Sequence, residues 1–518
     1  MLRVRLPLRR SLISSLGRPQ LRRPQSTTSS GITGSDVASK DFKNRWLMVL
    51  PAFATHMCLG SPYAWSLMAD QITRELGFVA PAMADWSLME AALPLSIVFI
   101  SQGITASVMG KWQQRVGPRI AMATATVCFG GGILLGALGI HIHSLPLLYA
   151  GYGILGGAGI GLAYTPPVQT LMQWFPDKKG IASGLTIAGF GSGALVFAPL
   201  VQHLMKAFAK MPEYVGPLGS VPTTAVDGKL FADLNGALVE VVIASQADVA
   251  KLPYALSEGL YIVGSGDTGA AEALAVIGAG YFAVMLASSL TFYKPHPSYA
   301  PEGMTATAHT PGSNDAGPDI SVDIAMKSPQ FYLLGITFFC VGAGGMGLFS
   351  VAKTMMSEVF TVALPTVVTA SFTGAYVLIL SAGNLGGRLG WSAISDAIGR
   401  RNMFYIFTVV SFPLYLSIPK LVEMAVTTGS SAPLYVFCVS TAVAVSIFGG
   451  IYAVLPAYEA DLFGAKNVGP IHGRMLLFSS TAALAGPYLL LKLRAISERA
   501  AIDGLMHKVC CVDLRNAL

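Results

Sequence analysis

Charge is scarce in this chain: Asp, Glu, Lys and Arg make up 12% of its 518 residues, against 53% hydrophobic ones. A soluble domain carries roughly 25% charged residues, so this shortage, with a mean hydropathy of +0.59, excludes one and leaves an integral membrane protein. Cysteine is scarce too. Cys58, Cys128, Cys340 and Cys438 stand singly inside apolar runs, and Cys510-Cys511 is a vicinal pair in a polar tail. That pattern excludes a disulfide framework and any zinc or redox motif. His141, His143, His296 and His309 show no ligand spacing with acids or cysteines, so neither a metal nor a cofactor is expected. No nucleophile–base–acid set stands out, and the chain is not expected to be an enzyme. Gly151-Tyr152-Gly153-Ile154-Leu155-Gly156 matches a dinucleotide fingerprint, but it lies inside an apolar span with no soluble strand before it.

Acid is absent from residues 1–35, where Arg3, Arg5, Arg9, Arg10, Arg18, Arg22 and Arg23 sit among serines. This is the composition of a mitochondrial transit peptide. It predicts the mitochondrial inner membrane as the location, with the plasma membrane as the alternative if 1–40 is a cytosolic tail. Outside that segment Lys and Arg number 27, as do Asp and Glu, so the net charge of +7 is local and gives no reason to expect a nucleic-acid partner.

Length and apolarity place spans at 45–68, 84–109, 119–140, 145–175, 180–206 and 271–293 in one half. A second half has them at 329–356, 367–387, 403–420, 432–462 and 469–491. Residues 207–270 are expected to form a loop on the non-cytosolic side, 294–328 a polar linker and 492–518 a polar tail. Two equal six-span halves would need a twelfth span, which the tail does not supply. The basic residues of the short loops (Lys111, Arg115, Arg119, Lys178, Lys179, Arg388, Arg400, Arg401 and Lys466) all fall on one side.

What is plentiful is glycine, 56 residues of it, and its spacing through 151–199 suits helices whose backbones approach closely in lipid. Adding 288 maps Gly161 to Gly449, Tyr164 to Tyr452, Phe175 to Phe463, Lys178 to Lys466, Phe190 to Phe478, Ser192 to Ser480 and Pro199 to Pro487. Such an echo points to a duplicated membrane bundle and hence to a transporter. The loop GKWQQRVGPR (Gly110, Arg115, Gly117, Arg119) likewise pairs with SAISDAIGRR (Asp396, Gly399, Arg400, Arg401). Both resemble the signature loop of the major facilitator superfamily, Gly-x-x-x-Asp-Arg/Lys-x-Gly-x-Arg/Lys. That resemblance implies an all-α bundle of two pseudo-symmetric halves, with Asp396 latching the inner side and Gln114 standing in the weaker first copy.

Four further stretches, LGSPYAWSLM, GLAYTPPVQTLMQWFPDKKGIASGL, NLGGRLGWSAISDAIGRR and GGIYAVLPAYEADLFGAKNVGPIHGRM, are similar to the oxalate:formate antiporter family, a monocarboxylate-transporter-like branch. The resemblance implies alternating access to a central carboxylate site lined by Tyr63, Tyr164 and Tyr452, with His56 and Phe448 on the same helix faces. It departs from the family at two places, because Arg388 is read at the exit of span eight and Arg474 at the inner end of span eleven. A dianion is then disfavoured and a monocarboxylate accepted more easily. Glu90 and Lys353, read as lying within spans, are candidates for gating or proton coupling. The expected partners are a small organic anion, a proton and the lipid bilayer, and the expected state is a monomer. Exchange, proton-linked carriage of a monocarboxylate and a non-transporting membrane sensor all remain open.

Overall fold

The computed structural model describes residues 37–38, 44–234, 236–250, 252–297, 299–301 and 319–516. The Arg-rich segment read as a targeting signal lies almost wholly outside them. Among the described residues, nine helices are long and apolar enough to cross a membrane.

The first half opens with α1 (Val49–Leu59) and α2 (Trp65–Ile72), two short helices joined by a 3-10 turn at Ser61–Ala64. It continues with α3 (Leu88–Val116), α4 (Pro118–His141), α5 (Leu145–Trp174), α6 (Lys179–Phe208) and α7 (Ala270–Thr291). The second half comprises α8 (Pro329–Met355), α9 (Ala370–Ile398), α10 (Arg400–Thr428), α11 (Ser431–Phe463) and α12 (Val468–Asn516). The segment read as a polar tail continues α12 rather than turning back as a separate span.

The Gly151–Gly156 stretch that mimics a nucleotide loop is π-helical, within Tyr149–Gly156. Its glycines let α5 press against α4: a Cβ on Gly132 would lie 2.5 Å from the Gly156 nitrogen and 2.7 Å from the Gly151 oxygen. The two signature loops share one geometry. Gly117 has φ +85° and Gly399 φ +88°, each ending one helix and opening the next, in a conformation that side chains with a Cβ rarely adopt. These turns lie on one end of the bundle with the α5–α6 and α11–α12 connections, here called the basic face.

The opposite end differs from the expectation of a loop. Residues 214–262 form a five-stranded antiparallel sheet, β1 (Tyr214–Gly216), β2 (Thr223–Val226), β3 (Lys229–Leu234), β4 (Ala237–Ala244) and β5 (Gly259–Ile262), in the order β1-β5-β4-β3-β2. The strands are short and half-exposed, so their alternation is weak in sequence. An Asp227-Gly228 turn with positive φ at both positions closes the β2–β3 hairpin. One apolar cluster, including Val242, Val249 and Tyr261, packs on Phe78 and Val79 from the α2–α3 connection.

Candidate functional site

The most consequential correction concerns Arg388. α9 runs to Ile398, beyond the end read at residue 387: Trp391 donates to Ser446 of α11, and Ser392 and Ser395 return their hydroxyls to the carbonyls of Arg388 and Ser392 on their own helix instead of forming a loop. Arg388 therefore sits inside the bundle, fully buried. Its Nε donates to Asn384 Oδ1 one turn away at 3.1 Å, and Nη1 donates to the Ile187 carbonyl on α6 at 3.0 Å. The guanidinium carbon lies 5.5 Å from the Tyr452 ring centre and 5.8 Å from that of Phe190. No carboxylate pairs with it among the described residues, and Nη2 is buried without a hydrogen-bond partner.

The three tyrosines named from sequence converge on this cation, whose field acts on Tyr63, Tyr164 and Tyr452 alike. Tyr164 on α5 is fully buried, its hydroxyl unpartnered. Its ring meets His56 at 5.1 Å and Phe190 at 5.6 Å, both edge-on. Tyr452 on α11 hydrogen-bonds Ser479 Oγ through its hydroxyl at 2.7 Å and packs against Phe338 and Phe448. Phe448 thus borders the site through the Tyr452 ring.

His56 and Tyr63 do not share one continuous helix face as expected, because the 3-10 turn intervenes. Both nevertheless reach the same cluster: Tyr63 packs edge-on against Phe190 at 5.5 Å. His56 Nδ1 lies 3.2 Å from the Ala52 carbonyl. A carbonyl only accepts, so Nδ1 carries the hydrogen and the buried, unpartnered Nε2 offers a lone pair.

Sequence reasoning missed a second buried group. Glu459, four residues before the end of α11, and His472 near the start of α12 are both buried, with Nδ1 3.1 Å from each carboxylate oxygen. His472 stacks on Tyr164 across the two halves at 5.8 Å. Both residues lie in the stretch that carries the family resemblance, so the signal was in hand, but their nearness to the basic loop hid their burial.

The two coupling candidates fare differently. Glu90 is not one to two turns inside its span. It lies in the first turn of α3, where its carboxylate accepts from Ser87 N at 2.9 Å and Ser87 Oγ at 2.7 Å in a capping box. Those two bonds occupy the carboxylate as a helix cap. The side chain of Lys353 lies outside the described residues.

On the basic face the signature loops reach across the halves. Lys178, at the N-cap position of α6, makes no side-chain cap. Asp396 of the other half caps α6 instead, accepting from Gly180 N at 3.0 Å and Ile181 N at 2.8 Å. Arg400 pairs with Asp396 and also lies 3.5 Å from Asp461, which Lys179 reaches at 3.1 Å. In the first copy Gln114 donates to the Lys466 carbonyl at 2.8 Å. Arg119 binds the Leu290 carbonyl at the end of α7 at 2.8 Å, a cation on a helix C-terminus. Arg401 bonds Tyr405, Arg115 is exposed, and Gly110 lets α3 approach Pro470 of α12.

Comparison with known proteins agrees with this architecture. The profile described as Major Facilitator Superfamily matches residues 46–211. The oxalate:formate antiporter of Oxalobacter formigenes is 26% identical over 470 residues, covering 89% of this chain and 86% of that protein. Apicoplast pyruvate carrier 1 of Toxoplasma gondii is 25% identical over 517 residues, covering 91% and 87%. In fold, the solved fucose:proton symporter of E. coli matches with a TM-score of 0.52 at 15% identity, over 87% of this chain and 92% of that one. Two halves joined by mirrored signature loops, closing on a buried polar centre, are thus accompanied by sequence and fold matches of one kind: the chain is a multi-pass membrane transporter, not an enzyme, similar to proteins of the major facilitator superfamily, with oxalate:formate antiporters and monocarboxylate transporters among those it resembles.

Proposed function

We propose that the chain carries small monocarboxylates across a membrane by alternating access to the site around Arg388. The observation that carries this reading is the sealed guanidinium with an unpartnered Nη2, facing three tyrosines and no counter-ion. An isolated buried cation costs several kcal/mol, and an incoming carboxylate offsets that cost through planar charge-assisted hydrogen bonds. The tyrosine rings keep water from the pair, and hydroxyls that find no protein partner can donate to the carboxylate oxygens.

One buried cation favours one negative charge. Among the described residues of α12, no second cation of the kind a dianion would need lies at mid-depth. Its Arg474 donates to the Pro470 carbonyl near the start of that helix. Two relatives are named for carboxylate cargoes, oxalate, formate and pyruvate, which supports the same chemical class. Asp396 and its network hold the basic face closed in this arrangement, and the site opens toward that face when α6 and α9 separate.

Counterflow of labelled formate, pyruvate, lactate and oxalate in proteoliposomes tests the reading. Uptake of at least one monocarboxylate is expected in the native chain and is lost in Arg388→Gln. Undiminished uptake in that variant, or no flux of any of the four in the native chain, would refute it. The Arg-rich start directs the chain to the mitochondrial inner membrane on this reading. Residues 1–40 fused to a fluorescent protein should then enter mitochondria, and a cytosolic or plasma-membrane signal would remove the organelle assignment.

A further inference from the structure

Glu459 and His472 are not among the groups assigned above to holding the carboxylate, yet they adjoin that site, His472 stacking on Tyr164. Among the described residues, the only fully buried Arg, Lys, Asp or Glu side chains are Arg388 and Glu459. We propose that the Glu459–His472 pair holds one proton that crosses with each monocarboxylate. This proposal rests on the carboxylate reading above.

Charge balance within the closed bundle supplies the argument. With no cargo and the pair deprotonated, Glu459 is −1 and His472 neutral, so Arg388 at +1 balances the interior. With a monocarboxylate on Arg388 the interior balances only if the pair gains one proton, as Glu⁻·His⁺ or as neutral Glu and His. The two mixed states, cargo without proton or proton without cargo, leave a net buried charge, which costs several kcal/mol in a low-dielectric interior. The carrier therefore reorients readily when loaded with both or with neither, which is the condition for coupled movement.

Geometry supplies the alternating access. Glu459 and His472 both belong to the second half, on α11 and α12, but α5 of the first half covers them by stacking Tyr164 on His472. Separation of the halves at the basic face removes that cover and brings water to the pair, and closure excludes it again. The proton comes from water while the pair is hydrated on one side, and it is released to water on the other. Tyr164, whose unpartnered hydroxyl lies in the fields of both Arg388 and Glu459, links the two sites. His472 Nε2 is likewise buried and unpartnered. The other ionisable groups facing the pair are few. His56 lies behind the Tyr164 ring, and Asp461, two residues beyond Glu459, is engaged by Lys179 and Arg400. Arg474, two residues beyond His472, binds the Pro470 carbonyl.

Purified full-length chain in proteoliposomes loaded with a pH-sensitive dye tests this with labelled pyruvate. In the native chain one proton should enter per pyruvate, and a gradient of one pH unit should concentrate pyruvate about tenfold above protein-free vesicles. Glu459→Gln keeps an acceptor for His472 but cannot release a proton. It should show neither dye response nor gradient-driven accumulation, while pyruvate-for-pyruvate counterflow persists, because the loaded form stays balanced and the empty form does not. Glu459→Ala, which removes the same charge, provides a second variant with the same expectation should Glu459→Gln fail to fold. Native counterflow with no proton movement, or full accumulation in Glu459→Gln, would overturn the proton assignment and leave the carboxylate reading standing. Absence of any counterflow in the native chain would remove both.

Discussion

Asp396→Ala should open the basic face. Asp396 caps the first turn of α6 from the other half through two backbone donors, at 3.0 and 2.8 Å, where α6 has no cap of its own. A hydrogen bond to a charged group contributes about 1.5–3 kcal/mol, and a carboxylate at a helix N-terminus gains up to about 2 kcal/mol more in a partly buried site. The freed amides rehydrate once the faces part, which returns part of that energy. A net shift of about 3 kcal/mol in the closed-to-open balance follows, a change of roughly 100-fold in the ratio. Arg400 retains Asp461 in the variant, so the network weakens without leaving a buried unpaired cation. Spin labels on Arg115→Cys and Arg401→Cys, exposed residues on the two halves, report the opening in an otherwise cysteine-free chain. The native chain should give a single short-distance population. Asp396→Ala should add a dominant longer one, and Asp396→Asn, which keeps one acceptor oxygen, should fall between. Identical distance distributions for Asp396→Ala and the native chain would show that the latch is not what holds the face closed.

Gly60→Ala should lower thermal stability, since a Cβ there overlaps the Phe190 carbonyl on α6. Overpacking against backbone costs about 1–3 kcal/mol, readable as a drop in Tm in detergent, and an unchanged Tm would contradict the close approach. Glu75→Gln should flatten the pH dependence of the docked β-sheet. Burial, together with the nearby Asp267, Glu272 and Asp85, pushes the Glu75 carboxyl up to about 8 against a hydrogen bond from Thr268. With the folded pKa above the ordinary 4.5, the stabilisation is complete below that value and is lost as pH rises toward 8. Proteolysis within residues 207–270 should therefore accelerate between pH 5 and 8.5 in the native chain and much less in the variant. Equal acceleration in both would remove Glu75 as the cause.

The sequence alone determined the membrane class, the duplicated halves and the two signature loops, because each depends on local quantities. Apolar runs of span length, an offset of 288 and turns that need glycine are all visible in one dimension. It also marked Tyr63, Tyr164 and Tyr452, which the fold brings around a common centre. What it misjudged was depth. Arg388 looks like a loop charge because hydropathy falls near it, and Glu459, although inside the span read at 432–462, gives no sign of its depth; only packing against the other half reveals their burial. Glu90 errs the other way, since a carboxylate after an apolar stretch reads the same whether it lies inside a span or caps its first turn. The five short strands were hidden as well, because their stability comes from packing on the α2–α3 connection rather than from their own pattern. Which charges meet the membrane interior is a property of packing between distant segments, and the tertiary structure alone decided it.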